Sequence, residues 1–145
     1  MNLGAILRSS YFLGIDKVLV SHKNSCRISG VVSKASAGVA EIIQVNQVMD
    51  AEKFIKNIKA AGWCTVVATA SNDPRAVPIS TFTPIRNTLI LIGNEGTGVN
   101  ESLSQLCDTA VTILPRRQLH PDVDSLNVSV ATALLLHTIS NKIIQ

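Results

Sequence analysis

An apolar run, Leu89-Ile90-Leu91-Ile92, leads straight into Gly93-Asn94-Glu95-Gly96-Thr97-Gly98, a glycine-rich loop with a single carboxylate in its middle. Glycines at a strand end let backbone N–H and C=O groups approach a small ligand closely, so the chemistry open to this loop is cofactor binding. Phosphate is a poor match. The glycines follow G-x-x-G-x-G rather than the dinucleotide pattern G-x-G-x-x-G, and the Gly-Lys-Ser/Thr ending of a Walker-type loop is missing. Glu95 would also repel a polyphosphate, because phosphate loops gather N–H dipoles and cations. A ligand carrying positive charge, or offering hydroxyl and amino donors, fits better; the alternative is a tight turn that closes the strand. A second polar cluster, Ser125-Leu126-Asn127, stands where an apolar helix begins. Its side chains could cap that helix or face a ligand.

The elements that must position these loops alternate between helix and strand. Leu3 to Leu13 reads as a helix closed by Gly14, and Lys17 to Val20 as a short strand. A weaker helix over Gly30 to Ala40 and a strand around Ile42 to Val45 follow. Asp50 caps a helix with Phe54, Ile55 and Ile58 on one face, ended by Gly62. Cys64 to Ala70 is a buried strand, Ser71 to Arg86 a polar, proline-containing excursion, and Leu89 to Ile92 the next strand. Asn100 to Leu106 is a short helix, Ala110 to Leu114 a strand ended by Pro115, and Ser125 caps a last helix running toward Ile144. Such alternation implies an α/β fold with a mostly parallel sheet flanked by helices.

Three separated segments also carry a resemblance. They are Asn2-Leu3-Gly4-Ala5-Ile6-Leu7-Arg8-Ser9-Ser10 with Phe12-Leu13-Gly14, then Leu91 to Gly98, then Ile113-Leu114-Pro115 continuing to Ser125-Leu126-Asn127-Val128-Ser129-Val130-Ala131. In this order they resemble the three signature motifs of the SpoU (TrmH-like) ribose 2′-O-methyltransferases of the SPOUT superfamily, across nearly the whole chain. Lys34-Ala35-Ser36-Ala37-Gly38 and the arginine pair after Pro115 resemble the branch, related to bacterial RlmB, that methylates a guanosine of mitochondrial large-subunit (16S) rRNA. The resemblance implies a C-terminal deep trefoil knot, S-adenosylmethionine as cofactor, an RNA substrate, a homodimer, no metal, no membrane and a place in the mitochondrial matrix. A sulfonium is cationic at sulfur and brings no polyphosphate for Glu95 to repel.

The same resemblance implies roles for residues. Arg8 is the catalytic residue at the target 2′-hydroxyl, with Asn2 orienting it or the RNA; Glu95, Ser125 and Asn127 match the remaining polar positions. A guanidinium stays protonated and makes a poor base. Arg8 would therefore grip the adjacent phosphate and stabilise the developing alkoxide while another acceptor takes the proton. The cofactor neighbours are Ala68, Thr69, Gly93, Asn94, Gly96, Ile113, Leu114 and Leu126. Gly93 would sit where a side chain would strike the cofactor, and Leu114 and Leu126 would lend backbone groups to the adenine end. Plainer roles exist for several: core packing for the leucines, capping for Ser125 and Asn127, a surface charge for Arg8. Arg116 and Arg117, where the family usually has a short Pro-Met-x-Gly turn, are expected on RNA phosphates or as solvated charge.

Composition bounds these readings. With 145 residues, 46% of them hydrophobic and 16% charged, one domain with a sizeable core is expected. Aromatic residues are only 3%, which argues against an RNA surface of stacked rings. A net charge of +3 permits contact with nucleic acid without requiring it. Cys26, Cys64 and Cys107 show no C-x-x-C spacing, so neither a zinc site nor a disulfide framework is expected, and His22, His120 and His137 form no metal set. No uninterrupted apolar stretch is long enough to span a membrane. The family's Asp-Pro before the motif asparagine and its upstream RNA-binding domain do not precede Asn2, so residues 1–145 are expected to form an isolated catalytic domain. Other readings are a tRNA substrate, a silent RNA-binding or ribosome-assembly module, and a flavodoxin-like nucleotide binder, the last opposed by Glu95.

Overall fold

The computed structural model describes residues 2–22, 34, 37–85, 87–94 and 96–144. Helix α1 (Asn2–Phe12) stops short of Gly14, whose φ of 78° is a left-handed conformation that glycine adopts freely. Strand β1 (Val18–Ser21) pairs in parallel with β2 (Val45–Val48), Val18 opposite Val45. The strand expected over 42–45 therefore lies a few residues later. Ile42 and Ile43 belong to the turn before it, and Ile43 is buried in a cluster with Leu7. The helix expected over 30–40 falls largely on residues outside the described ones. Its described end is not α-helical: Ala37 and Gly38 have φ of 55° and 82°, and Val39–Glu41 is a single 3-10 turn. A left-handed glycine such as Gly38 stops an α-helix rather than continuing it.

Helix α2 (Ala51–Ala60) begins at the expected cap, the Asp50 carboxylate accepting from Lys53 N–H at 3.0 Å. Strands β3 (Cys64–Ala68), β4 (Ala76–Pro78), β5 (Thr88–Leu91) and β6 (Thr109–Thr112) form a second sheet, ordered β4-β6-β3-β5 and parallel throughout. Helix α3 (Glu101–Leu106) joins β5 to β6, and α4 (Val128–Ile144) follows the long loop after β6. Strand β4 lies inside the stretch read as a polar excursion. Three residues give no periodic signal, and its terminal proline is tolerated because β4 is an edge strand. Strand β6, last in sequence, lies between β3 and β4.

Helices cover both faces of this sheet, as the alternation implied. Leu135 and Ile139 of α4 pack with Val66, Val111, Ile79 and Phe82, while α2 packs against β3 and α3 from the other side with Ile55 buried. Helix α1 lies against α4 and buries Leu7 over Val18, Ile43 and Val45. Among the described residues no helix is long and apolar enough to cross a membrane.

Candidate functional site

Parallel strands bring their C-terminal ends to one edge, where open α/β sheets bind ligands. Because β5, β3 and β6 are neighbours, Gly93 after β5, Ala68 and Thr69 at the end of β3, and Ile113 and Leu114 after β6 all reach that edge. Thr69 N–H donates to Val111 O at 2.9 Å and ties the end of β3 to β6. Its hydroxyl has a different fate: Oγ1 is buried and finds no hydrogen-bond partner among the described residues. Leu114 is 51% exposed and Leu126 49%, so neither is the plain core residue that sequence allowed.

The glycine loop is a miniature hairpin. Asn94 N–H donates to Gly98 O at 3.3 Å and Gly98 N–H to Asn94 O at 2.9 Å, with Gly96 and Gly98 left-handed. A Cβ on Gly93 would lie 2.2 Å from the Gly98 carbonyl carbon and 2.4 Å from Val99 N. The collision expected with a cofactor is thus, first, a collision with the loop's own backbone. Glu95 and the side chain of Asn2 lie outside the described residues.

At the start of α4 the cap is Asn127, not Ser125. Asn127 Oδ1 accepts from Ser129 N–H at 3.0 Å and from Ser129 Oγ at 2.6 Å, whereas Ser125 Oγ donates to Asp124 at 3.1 Å. The same Asn-x-Ser device caps α3 through Asn100 and Ser102. Arg8 is exposed and lines a shallow groove with Ser9, Phe12 and Leu13 of α1 and its end, and Ala133, Leu134 and His137 of α4. None of the sheet-edge residues lines that groove. The expected cofactor residues of three strand ends therefore gather at one sheet edge, while the expected catalytic arginine lines a groove between α1 and α4. Arg116 and Arg117 are exposed and form no ion pair among the described residues.

Two features escaped the sequence reading. At the opposite sheet edge, Asp108 Oδ2 accepts from Thr65 N–H and from Thr65 Oγ1, both at 2.9 Å, and Oδ1 lies 3.3 Å from Lys59 Nζ. Burial works against this carboxylate's charge, but the Thr65 and Lys59 hydrogen bonds prevail and hold its pKa below the ordinary value. Burial pushes the neighbouring Cys107 thiol up to about 11 and raises Cys64 as well, so neither is a thiolate near neutral pH. The second feature is Lys142, whose Nζ donates to the carbonyls of Ile79, Ser80 and Phe82. Partners this distant in sequence leave no local signal. Among the described residues no group of His, Cys, Asp and Glu could hold a metal ion.

A sheet edge built from these three strand ends, with the motif residues upon it, defines a class. The chain belongs to the SpoU rRNA Methylase family, whose model matches residues 1–137. It is 44% identical to human "rRNA methyltransferase 1, mitochondrial", covering 97% of this chain and 42% of that protein. It is 33% identical to "23S rRNA (guanosine-2'-O-)-methyltransferase RlmB" of Acinetobacter baylyi, covering 94% of this chain and 53% of that protein. The chain thus spans about half the length of such relatives, or less. The fold also matches the crystal structure of the SpoU methyltransferase AviRb from Streptomyces viridochromogenes in complex with AdoMet. That match has a TM-score of 0.81 at 24% identity and covers 97% of this chain and 55% of that one.

Proposed function

We propose that this chain carries the catalytic domain of an S-adenosylmethionine-dependent RNA ribose 2′-O-methyltransferase, its target a guanosine of mitochondrial large-subunit rRNA, acting in the mitochondrial matrix. The names of the human and Acinetobacter relatives support the substrate and the compartment. The observation that carries the reading is Thr69 Oγ1, buried and unpartnered at the edge where three parallel strands end. Leaving a buried hydroxyl unpaired costs about 1–3 kcal/mol, so a ligand that pairs it is the natural reason for its survival there. Half-exposed Leu114 and Leu126 suit the adenine end. Bound at this edge, S-adenosylmethionine supplies an electrophilic methyl group on a cationic sulfur.

The chain's own residues do the rest. Thr69 bonds the cofactor, Ala68, Gly93, Asn94 and Gly96 form its wall, and the backbone at Ile113, Leu114 and Leu126 holds the base. Arg8 grips the phosphate beside the target ribose and stabilises negative charge growing on the 2′-oxygen, while a separate acceptor takes the hydroxyl proton. Glu95, Asn2, Ser125 and Asn127 orient the ribose, and Arg116 and Arg117 bind backbone phosphates. Methyl transfer needs alignment more than acid–base power, so positioning supplies much of the rate. The working form is a homodimer. Tyr11, Phe12, Val130 and Leu134 leave apolar area exposed on the two helices that line the Arg8 groove, and a second copy covers it. The place of β6 between β3 and β4 supports a chain threaded into a trefoil knot.

Calorimetric titration of S-adenosylmethionine, followed by methyl transfer to large-subunit rRNA fragments and to tRNA, tests the reading. Saturable binding and a 2′-O-methylguanosine in the rRNA digest are expected. Methylation of tRNA alone would move the substrate, and a folded dimer without binding would overturn the cofactor site.

A further inference from the structure

We propose that Lys142 is a positioning residue for the loop after β6, the loop that carries Ile113 and Leu114. The inference rests on reading the sheet edge as the cofactor site. In the last turn of α4, Lys142 Nζ donates to Ile79 O at 3.0 Å, Ser80 O at 2.8 Å and Phe82 O at 2.5 Å. An ammonium has three donors, and all three are directed at one turn. A lysine at a helix end ordinarily serves the helix's own last carbonyls and its dipole. Here the acceptors belong to a segment distant in sequence.

That turn is tied to the site. Ile79 N–H donates to Thr112 O at 2.9 Å, and Thr112 ends β6 immediately before Ile113 and Leu114. Ile79 and Phe82 pack with Leu135 and Ile139 of α4 in the cluster against which Ile113 also lies. The turn is closed on itself as well, Thr81 N–H and Oγ1 both donating to Pro78 O at 2.9 Å. Helix α4 thus fixes a preformed turn by charge, and the turn fixes the last peptide of β6 from its outer side. Removing the ammonium would leave three carbonyls facing each other with no cation among them, and the end of β6 would lose its support where the cofactor loop departs.

Lys142→Met and Lys142→Arg test this by amide hydrogen exchange on the free protein and by titration with S-adenosylmethionine. In Lys142→Met, exchange of the Ile79 N–H, which is bonded to Thr112 O, is expected to accelerate, and cofactor affinity to fall about tenfold, the size of a remote support's coupling. KM for RNA and the circular dichroism should stay as they are, a split that a general loss of folded protein would not produce. Lys142→Arg keeps the cation and several donors and should recover most of the affinity. Wild-type exchange and affinity in a folded Lys142→Met would overturn the proposal, as would acceleration spread evenly over all strands. If Lys142→Met does not fold, Lys142→Gln is read in the same way. Failure of both to fold would make the lysine a requirement of the fold and overturn its role at the loop. Should the wild type bind no cofactor, the site reading fails, yet the exchange at Ile79, the amide bonded to the end of β6, still decides the part played by Lys142.

Discussion

Thr69 holds two hydrogen-bonding groups with opposite fates, an N–H bonded to Val111 and a buried hydroxyl with no partner. Replacing it with valine keeps the shape and removes only the unpaired oxygen. The unfolding temperature of free Thr69→Val should therefore hold or rise, since the hydroxyl's unpaid desolvation disappears. Affinity for S-adenosylmethionine should fall roughly two- to tenfold, equivalent to about 0.5–1.5 kcal/mol. Thermal unfolding and calorimetry read both signs, and an unchanged affinity would remove Thr69 from the site. The position of Thr69 at a strand end was legible because it follows an apolar run directly. The half-exposure of Leu114 and Leu126 was not, since residue type says leucine and only the fold decides how much of each side chain is covered. The choice between Ser125 and Asn127 turned on a third residue: the backbone N–H and hydroxyl of Ser129 both reach the asparagine oxygen.

At the scale of elements, the two ends of the parallel sheet divide the labour. The C-terminal edge depends on backbone packing within the glycine loop, where Gly98 C and Val99 N occupy the space of a Gly93 side chain. Gly93→Ala should cost about 1–3 kcal/mol, the range for overpacking a tight site, with cofactor binding lost through a displaced loop; urea unfolding and titration check it. The N-terminal edge depends on Asp108, which joins β3, β6 and α2 through Thr65 and Lys59. Its folded pKa is depressed, so its contribution is complete above the unfolded carboxylate value of about 3.9 and drains as pH falls through the lower folded value. Asp108→Asn should flatten that acid limb in a series of unfolding curves below about pH 4, and an unaltered limb would assign acid sensitivity elsewhere. Strands β3, β5 and β6 were legible from apolar runs between turn residues. Strand β4 was not, because three residues ending in proline acquire strand geometry only from the neighbour they pair with.

For the whole molecule, α4 is the element whose surroundings matter most. One side is spent on the sheet through Leu135 and Ile139, and α1 lies against another. Val130 and Leu134, one turn apart, remain 49% and 46% exposed, while Phe12 on α1 is 86% exposed. A helix apolar on every side belongs in an interior, and here the missing cover is proposed to be a second copy of the chain. Sequence showed the apolarity of α4 but not which of its faces the rest of the fold leaves bare. Leu134→Glu places a charge on that bare face and touches no residue of the sheet core. It should turn a dimer into a folded monomer by sedimentation velocity, with the thermal transition of the monomer still cooperative. Because Arg8 and Leu134 line one groove, the same change should reduce methyl transfer more than it reduces cofactor binding. A variant that stays dimeric would place the self-association surface elsewhere, and one that is monomeric yet fully active would separate Arg8 from the interface.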